Sequence, residues 1–239
     1  MIDLYSWGTP NGYKVHIMLE ETELEYTVHP INIRVGDQFN KKFLKYSPNN
    51  RIPAMIDRHG AGGNEISVFE SGAILIYLAD KTDQFMPSRI DNPAGYYNVL
   101  QWLMFQMGGV GPMFGQAGHF RNYARERASK AELQYGIDRY TNEAHRLYGV
   151  LDRQLSKFEY LAGDYSIADM AVWPWCRTPE RRGVDHAEFP NISRWFDAID
   201  DRPAVKKAVK VLDVESQRPK VHDEMAWSIM FGDKQFEKK

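Results

Sequence analysis

Arg51-Ile52-Pro53-Ala54-Met55-Ile56-Asp57, answered by Val68-Phe69-Glu70-Ser71-Gly72-Ala73-Ile74, decides how the first third of this chain folds. Proline has no N–H to give to a ladder, so Pro53, directly before the apolar run Ala54 to Ile56, marks where a strand begins. A cis bond at this point turns the Ile52 backbone outward, where its N–H and C=O can pair with an extended peptide as with an added strand. Glu70 and Ser71 end a second strand and open the helical run Ala73, Ile74, Tyr77, Leu78. Ser71 reads as the N-cap of that helix, and the N–H groups of a helix start attract a carboxylate. Either half alone is an ordinary turn or an ordinary cap. In this order the two describe a pocket for a short anionic peptide.

Working outward, Ile2 to Tyr5 reads as a strand and Ser6 to Pro10 as a loop. A helix follows from near Asn11, with Val15, Met18 and Leu19 on one face and Glu20, Glu21 and Glu23 in water. Tyr26 to Ile33 alternates as a second strand and completes a βαβ unit. Gln38 to Tyr46 reads as a short helix with Phe39, Phe43 and Leu44 inward, and Gly60-Ala61-Gly62-Gly63-Asn64 joins the two strands quoted first. The element order is therefore βαβ, α, ββ, α, ending near Asp80.

Thr82 to Pro93 reads as a linker, and beyond it the pattern is helical throughout. Tyr96 to Met107 and Tyr135 to Phe158 carry wide apolar stripes. Ser166-Ile167-Ala168-Asp169 is a capping box, flanked by Tyr165 and Met170 at the positions of a hydrophobic staple. Loss of such a cap costs about 0.5–2 kcal/mol, which makes Asp169 a folding residue. The expected division is an α/β domain at 1–81, a linker at 82–93, an all-helical domain at 94–212 and a C-terminal tail at 213–239. The tail's apolar island, Met225 to Phe231, reads as a segment docked on the surface, the alternative being a flap over the active-site cleft.

Of 239 residues, 43% are hydrophobic and 26% charged, and 30 basic against 32 acidic side chains give a formal charge of -2. Such a balance points to neither a nucleic-acid nor an anionic-membrane partner. No apolar run reaches the roughly 20 residues of a membrane helix, and the N-terminus lacks a basic region and an apolar signal core, so the expected location is cytoplasmic. With one cysteine, Cys176, the chain has neither an internal disulfide nor a Cys-x-x-Cys pair, and any thiol chemistry arrives with a cofactor. Seven histidines without metal-ligand spacing predict no metal, and no nucleophile elbow is present. Cys176, inside Trp173-Pro174-Trp175-Cys176, reads as core.

Thr9 ends the first strand just before a helix N-terminus, where the macrodipole favours an anion. Thr9 and Asn11 can each donate a hydrogen bond there, and two donors with a helix end can lower a thiol pKa of ~8.5 by about one or two units. Gly108 to Phe120 holds five glycines and Pro112 after a helical stretch. A phosphate loop would follow a strand, so these glycines are expected to break or bend a helix, either to open a cleft for a second substrate lined by Met113, Phe114 and Phe120 or to allow tight helix packing, two readings that are compatible.

Ser47-Pro48-Asn49-Asn50-Arg51-Ile52-Pro53 followed by Phe69-Glu70-Ser71-Gly72-Ala73-Ile74 resembles the glutathione-binding half of the cytosolic glutathione transferases. Thr9-Pro10-Asn11-Gly12 and Gly108-Gly109-Val110-Gly111-Pro112-Met113-Phe114-Gly115-Gln116 are most similar to the bacterial Nu class, noted for disulfide-bond reductase activity. The similarity runs from about Ile2 to about Val209. It implies a thioredoxin-like domain followed by a helical bundle, the glutathione transferase fold, and a homodimer. It implies glutathione, reduced or oxidised, as cofactor, with Thr9 and Asn11 stabilising its thiolate. The backbone of Ile52, next to Pro53, would pair with the cysteinyl unit, Glu70 and Ser71 would hold the γ-glutamyl end, and Gln38, Arg51 and Arg139 would contribute from neighbouring loops and the helical domain.

Disulfide reduction is the activity this resemblance implies first, with organic hydroperoxides as further substrates. Conjugation to small electrophiles needs the same thiolate and is the first alternative. A non-catalytic glutathione-binding regulatory protein is the second.

Overall fold

Four strands make one mixed sheet in the order β2-β1-β3-β4. Strand β1 (Ile2–Ser6) runs parallel to β2 (Tyr26–Pro30) and antiparallel to β3 (Ala54–Asp57), which pairs antiparallel with β4 (Ile66–Phe69). Parallel neighbours need a crossover, and α1 (Pro10–Glu21) supplies it. Between β2 and β3 lie a 3-10 turn at Asp37–Phe39 and α2 (Lys41–Leu44), and α3 (Ser71–Thr82) follows β4. The computed structural model describes residues 1–212 and 223–237 of the chain. The order βαβ, α, ββ, α is that of a thioredoxin-like domain, as expected.

Central and edge strands carry different patterns. All four residues of β3 are buried, whereas β4 alternates half-buried Ile66 and Val68 with exposed Ser67 and Phe69, as an edge strand does. Two element ends differ from expectation. Strand β2 stops at Pro30 instead of Ile33, because its partner β1 ends at Ser6, whose carbonyl accepts the last bond from the Ile31 N–H at 2.9 Å, and Asn32 then binds the side chain of Asp37 through its N–H at 2.9 Å. The helix expected over Gln38 to Tyr46 is divided at Asn40, whose extended backbone and side-chain bond to the Lys42 N–H start a fresh cap.

The helical part begins with α4 (Pro93–Phe105), a π-helical turn at Gln106–Val110 and α5 (Gly111–Gly118), with a second π turn at His119–Tyr123. The glycines of this stretch were expected to break or bend the helix. The path stays helical rather than breaking, and widens at the two π turns. Pro112 has no N–H for the turn before it and its ring crowds the carbonyl four residues back, a clash that a wider turn immediately upstream relieves. Helices α6 (Lys130–Leu155), α7 (Ile167–Cys176), α8 (Pro190–Asp200), α9 (Pro203–Ala208) and α10 (Glu224–Phe231) follow.

The capping box of α7 is present. Asp169 lies fully buried and its carboxylate accepts from the N–H groups of Leu161 and Ser166, both at 3.0 Å, from the Ser166 hydroxyl, and from the Trp195 indole at 2.8 Å. One carboxylate thus ties the α7 start to α8 and to the preceding loop.

The chain divides into two compact units, Met1–Thr82 with the described residues of Ala204–Lys239, and Asp83–Pro203. Within the first, the C-terminal elements return to α1. Lys207 of α9 pairs with Glu20 at 2.6 Å, and Ile229 of α10 packs beside Gly36, 3.8 Å from where a Cβ there would stand. The expected apolar island is thus the helix α10, with Ala226 and Ile229 buried and Met225 exposed. Residues 213–222 and 238–239 of the expected tail lie outside the described residues. Among the described residues no helix is long and apolar enough to cross a membrane.

Candidate active site

The starts of α1 and α3, the end of β4 and the loop leading into β3 surround a cleft of about 240 Å³, lined by Asn11, Ser47, Arg51, Ile52, Pro53, Phe69, Glu70 and Ser71. Each wall has a local cause.

The first wall is the N-terminus of α1. Thr9 is its cap, extended at φ -128° and ψ 163°, with the Gly12 N–H donating to its Oγ1 at 3.4 Å. Pro10 occupies the first turn, where its missing N–H is no loss. Asn11 comes next and faces the cleft. Gly12 is required by contact, since a Cβ there would lie 2.1 Å from the Trp7 carbonyl oxygen and 2.7 Å from the Ser6 Oγ. Only glycine lets the loop carrying Thr9 lie this close to the helix.

The second wall is the loop into β3. The Ile52–Pro53 bond is cis. Ser47, 1% exposed, donates through Oγ to the Arg51 carbonyl at 2.7 Å and accepts from the Arg51 N–H at 3.3 Å. One buried hydroxyl thereby clamps both ends of the 47–51 loop, in which Asn50 takes a left-handed φ of 54°. Arg51 is left exposed and Ile52 half-buried at the cleft.

The third wall is the strand-to-helix junction. Glu70 has φ 73°, a region costly for a side chain with a Cβ by about 1–2 kcal/mol. Its carbonyl accepts the first helical bond of α3, from the Ile74 N–H at 2.9 Å. Glu70 therefore holds the cap position that the sequence pattern assigned to Ser71. The chain turns from β4 into α3 at one residue, and the left-handed backbone of Glu70 is how it does so. Ser71 sits one place further in, 3% exposed, and its Oγ accepts from the Lys14 Nζ at 3.2 Å.

Lys14 belongs to α1 and is 1% exposed. Burial pulls its pKa from 10.5 down to about 7, against the field of the Glu70 carboxylate, which favours the charged form. Two residues on, buried His16 is held neutral by desolvation, its pKa lowered to about 4, and its Nε2 lies 3.0 Å from the Ser6 Oγ.

Other expected site residues take these places. Gln38 is 2% exposed; its Nε2 donates to the Ile33 carbonyl at 3.0 Å, and its Oε1 has no hydrogen-bond partner among the described residues. Arg139, Met113, Phe114 and Phe120 belong to the other unit. The Arg139 side chain is 55% exposed and 3.9 Å from Glu143. Met113 and Phe120 are half-buried; Phe114 is wholly buried and stacks on Tyr148 at 4.9 Å. Phe120 stacks on Tyr140 and crowds Gly136, where a Cβ would come within 2.5 Å of its ring. Burial pushes the Cys176 thiol up to about 12, which suits a core group and not a nucleophile. Among the described residues no group of three or more His, Cys, Asp or Glu is placed to hold a metal ion.

Sequence reasoning passed over Ser47, Phe69 and Lys14. Ser47 and Phe69 stood inside the motifs and carried no assigned role. Lys14 carried no local signal, because a lysine on an amphipathic helix reads as solvated.

The cleft can hold a carboxylate at the α3 start, an extended backbone at Ile52 and an anionic atom at the α1 start. Comparison with known proteins bears on which molecule combines these. The family model described as the glutathione S-transferase N-terminal domain matches residues 1–80, and that of the C-terminal domain matches residues 123–203. The chain is similar to the disulfide-bond oxidoreductase YfcG of Escherichia coli, 43% identical over 220 residues that cover 91% of this chain and 99% of that protein. It is similar in structure to a glutathione transferase family member from Pseudomonas fluorescens with two glutathione bound (TM-score 0.80, 45% identity, 87% of this chain and 92% of that one). It is similar also to a Pseudomonas putida glutathione transferase with one glutathione disulfide bound per subunit (TM-score 0.81, 44% identity, 88% and 91%).

Proposed function

The chain belongs to the glutathione S-transferase family of enzymes, and we propose that this member is a glutathione-dependent disulfide-bond reductase of Nu-class type. One observation carries the reading: Asn11 at the start of α1 shares a single cleft with Ile52, Glu70 and Ser71. A thiolate at one wall and a γ-glutamyl carboxylate at another are then held by one tripeptide. The glutathione disulfide of the Pseudomonas putida relative and the oxidoreductase activity named for the Escherichia coli relative support disulfide chemistry over conjugation.

In the proposed reaction the Ile52 backbone pairs with the cysteinyl unit, Ser71 and the α3 start take the γ-glutamyl carboxylate, and Glu70 takes its ammonium. Arg51, exposed at the cleft, meets the remaining anionic end, and Gln38 contributes from a neighbouring loop. Thr9 and Asn11 donate to the sulfur, and the α1 dipole adds its field. The thiolate attacks one sulfur of a small-molecule disulfide; a mixed disulfide forms and the other half leaves as a thiol. A second glutathione thiolate attacks the mixed disulfide, releasing the second thiol and oxidised glutathione, so two glutathione are consumed per disulfide reduced. An organic hydroperoxide accepts the same two electrons and leaves as an alcohol and water. The functional unit is a homodimer, which sedimentation at working concentration tests.

Reduction of 2-hydroxyethyl disulfide by glutathione, coupled to glutathione reductase and NADPH, tests the reading beside an aryl-halide conjugation assay on the same preparation. Fast disulfide turnover with slow conjugation is expected. The reverse ratio would make conjugation the main activity.

A further inference from the structure

Lys14 has no part in the reaction as described, yet it is among the largest fully buried side chains of the molecule. A lysine is rarely buried to this degree without a partner that needs its charge. Its Nζ ends 3.2 Å from the Oγ of Ser71, a residue that lines the cleft from the first turn of α3. The amine therefore stands directly behind the position taken by the γ-glutamyl carboxylate, one hydroxyl away from it. Its own helix, α1, opens at the sulfur end of the same cleft.

We propose that glutathione binding is coupled to proton uptake at Lys14: as the γ-glutamyl carboxylate seats at Ser71, the Lys14 Nζ takes a proton from solvent and the resulting ammonium holds the anion through the Ser71 hydroxyl. The inference rests on the reading that Ser71 receives that carboxylate. The bookkeeping of the step is one proton from buffer onto the nitrogen lone pair, with no other bond made or broken. With a pKa of about 7 before the ligand arrives, the amine is largely neutral above neutral pH. Burial is the reason, and Glu70, at the junction that leads into α3, is the charged group whose field acts on it. His16, on the same helix, is neutral across this range and does not compete for the proton. The γ-glutamyl ammonium that Glu70 takes offsets part of the Glu70 field, while the carboxylate, one hydroxyl from the amine and the nearer of the two ligand charges, lifts the amine back toward its ordinary range. Lys14 is thus a positioning residue with a protonation state set by the ligand.

Titration calorimetry with S-methylglutathione, whose sulfur does not ionise, measures this in buffers of differing ionisation enthalpy. The dependence of apparent enthalpy on buffer enthalpy gives protons taken up per site. The full-length wild-type protein is expected to take up about 0.9 proton at pH 8 and about 0.1 at pH 6, with affinity falling about fivefold between pH 7 and pH 8. Lys14→Met is expected to bind more weakly at pH 6 and to lose both the uptake and the fall. Equal uptake by the wild type at pH 8 and pH 6, or unchanged uptake in Lys14→Met, would overturn the proposal while leaving glutathione binding intact. The wild-type comparison alone decides the matter if the variant fails to fold. Absence of S-methylglutathione binding by the wild type at both pH values would overturn the glutathione reading itself, and the proposal with it.

Discussion

Replacing Lys14 by methionine should stabilise the ligand-free protein, and by an amount that shrinks as pH rises. The side chain is 1% exposed, and its pKa falls from 10.5 to about 7 because burial penalises the charged form. At about 1.4 kcal/mol per pH unit, that difference corresponds to a penalty of roughly 5 kcal/mol for folding with the amine charged. Below pH 7 the amine is protonated in both the folded and the unfolded chain, and the full penalty applies. Between pH 7 and pH 10.5 the unfolded chain binds a proton that the folded chain has released, so stability rises with pH; above 10.5 the penalty is gone. Methionine has nearly the same reach and no charge, but it loses the bond to Ser71, worth about 1 kcal/mol. The expected net gain for Lys14→Met is therefore about 2–4 kcal/mol at pH 7, closing by about 2 kcal/mol at pH 9. Urea unfolding of both proteins at the two pH values, followed by tryptophan fluorescence and circular dichroism, measures the gap. Taking the difference removes other titrating groups, including His16 and Asp169. A gap that is constant or grows from pH 7 to pH 9 would refute the assignment of a depressed pKa to Lys14.

Three further outcomes follow from the geometry. Thr9→Ala combined with Asn11→Ala should raise the pKa of the bound glutathione thiol by about one or two units and slow disulfide turnover about 10- to 100-fold near neutral pH, read by thiolate absorbance and the coupled assay; unchanged values in both would remove these residues from the mechanism. Asp169→Ala strands the buried N–H groups of Leu161, Ser166 and Trp195 and should cost about 3–5 kcal/mol by urea unfolding, whereas a loss under about 1 kcal/mol would mean that water or a rearranged loop satisfies them. Gly12→Ala forces a methyl group to within 2.1 Å of the Trp7 carbonyl, so the Thr9 loop must move; turnover should fall and unfolding shift to lower urea, and wild-type behaviour in both would show that the close approach is relaxed in solution.

The half of the fold built on local signals was legible, and Asn11, Arg51, Ile52, Pro53, Glu70 and Ser71, singled out from the sequence, line one candidate cleft. A proline before an apolar run marks the start of β3, a short polar break marks the α3 start, and Ser166 with Asp169 marks the start of α7; each is a rule about neighbours in sequence. The misreadings lie where a decision depends on a bond between residues several places apart. A pattern of residue names favours Ser71 over Glu70 as the cap, and only the left-handed backbone of Glu70, whose carbonyl accepts from the Ile74 N–H, moves the cap back by one residue. The glycines of Gly108 to Phe120 read as a break or bend, while a π turn at Gln106–Val110 keeps the path helical into α5.

Lys14 is the most informative failure. The pattern Val15, Met18, Leu19 against Glu20, Glu21 and Glu23 describes a helix with one face in water, and on such a helix Lys14 is solvated. In the fold every residue from Gly12 to Leu19 is buried. The sheet and α3 cover part of α1, and the chain comes back nearly two hundred residues later to lay α9 beside it, with Lys207 on Glu20. No window of sequence around position 14 contains α9. Once the helix is enclosed, its polar residues need partners that are worth their desolvation. His16 meets that need by remaining neutral beside Ser6, a structural solution available at any site. Lys14 instead reaches Ser71, which also faces the cleft, so on the proposal above its protonation follows a carboxylate bound there. A pKa near neutrality is what such an arrangement requires, since an amine held permanently charged would register no ligand and one held permanently neutral would attract none.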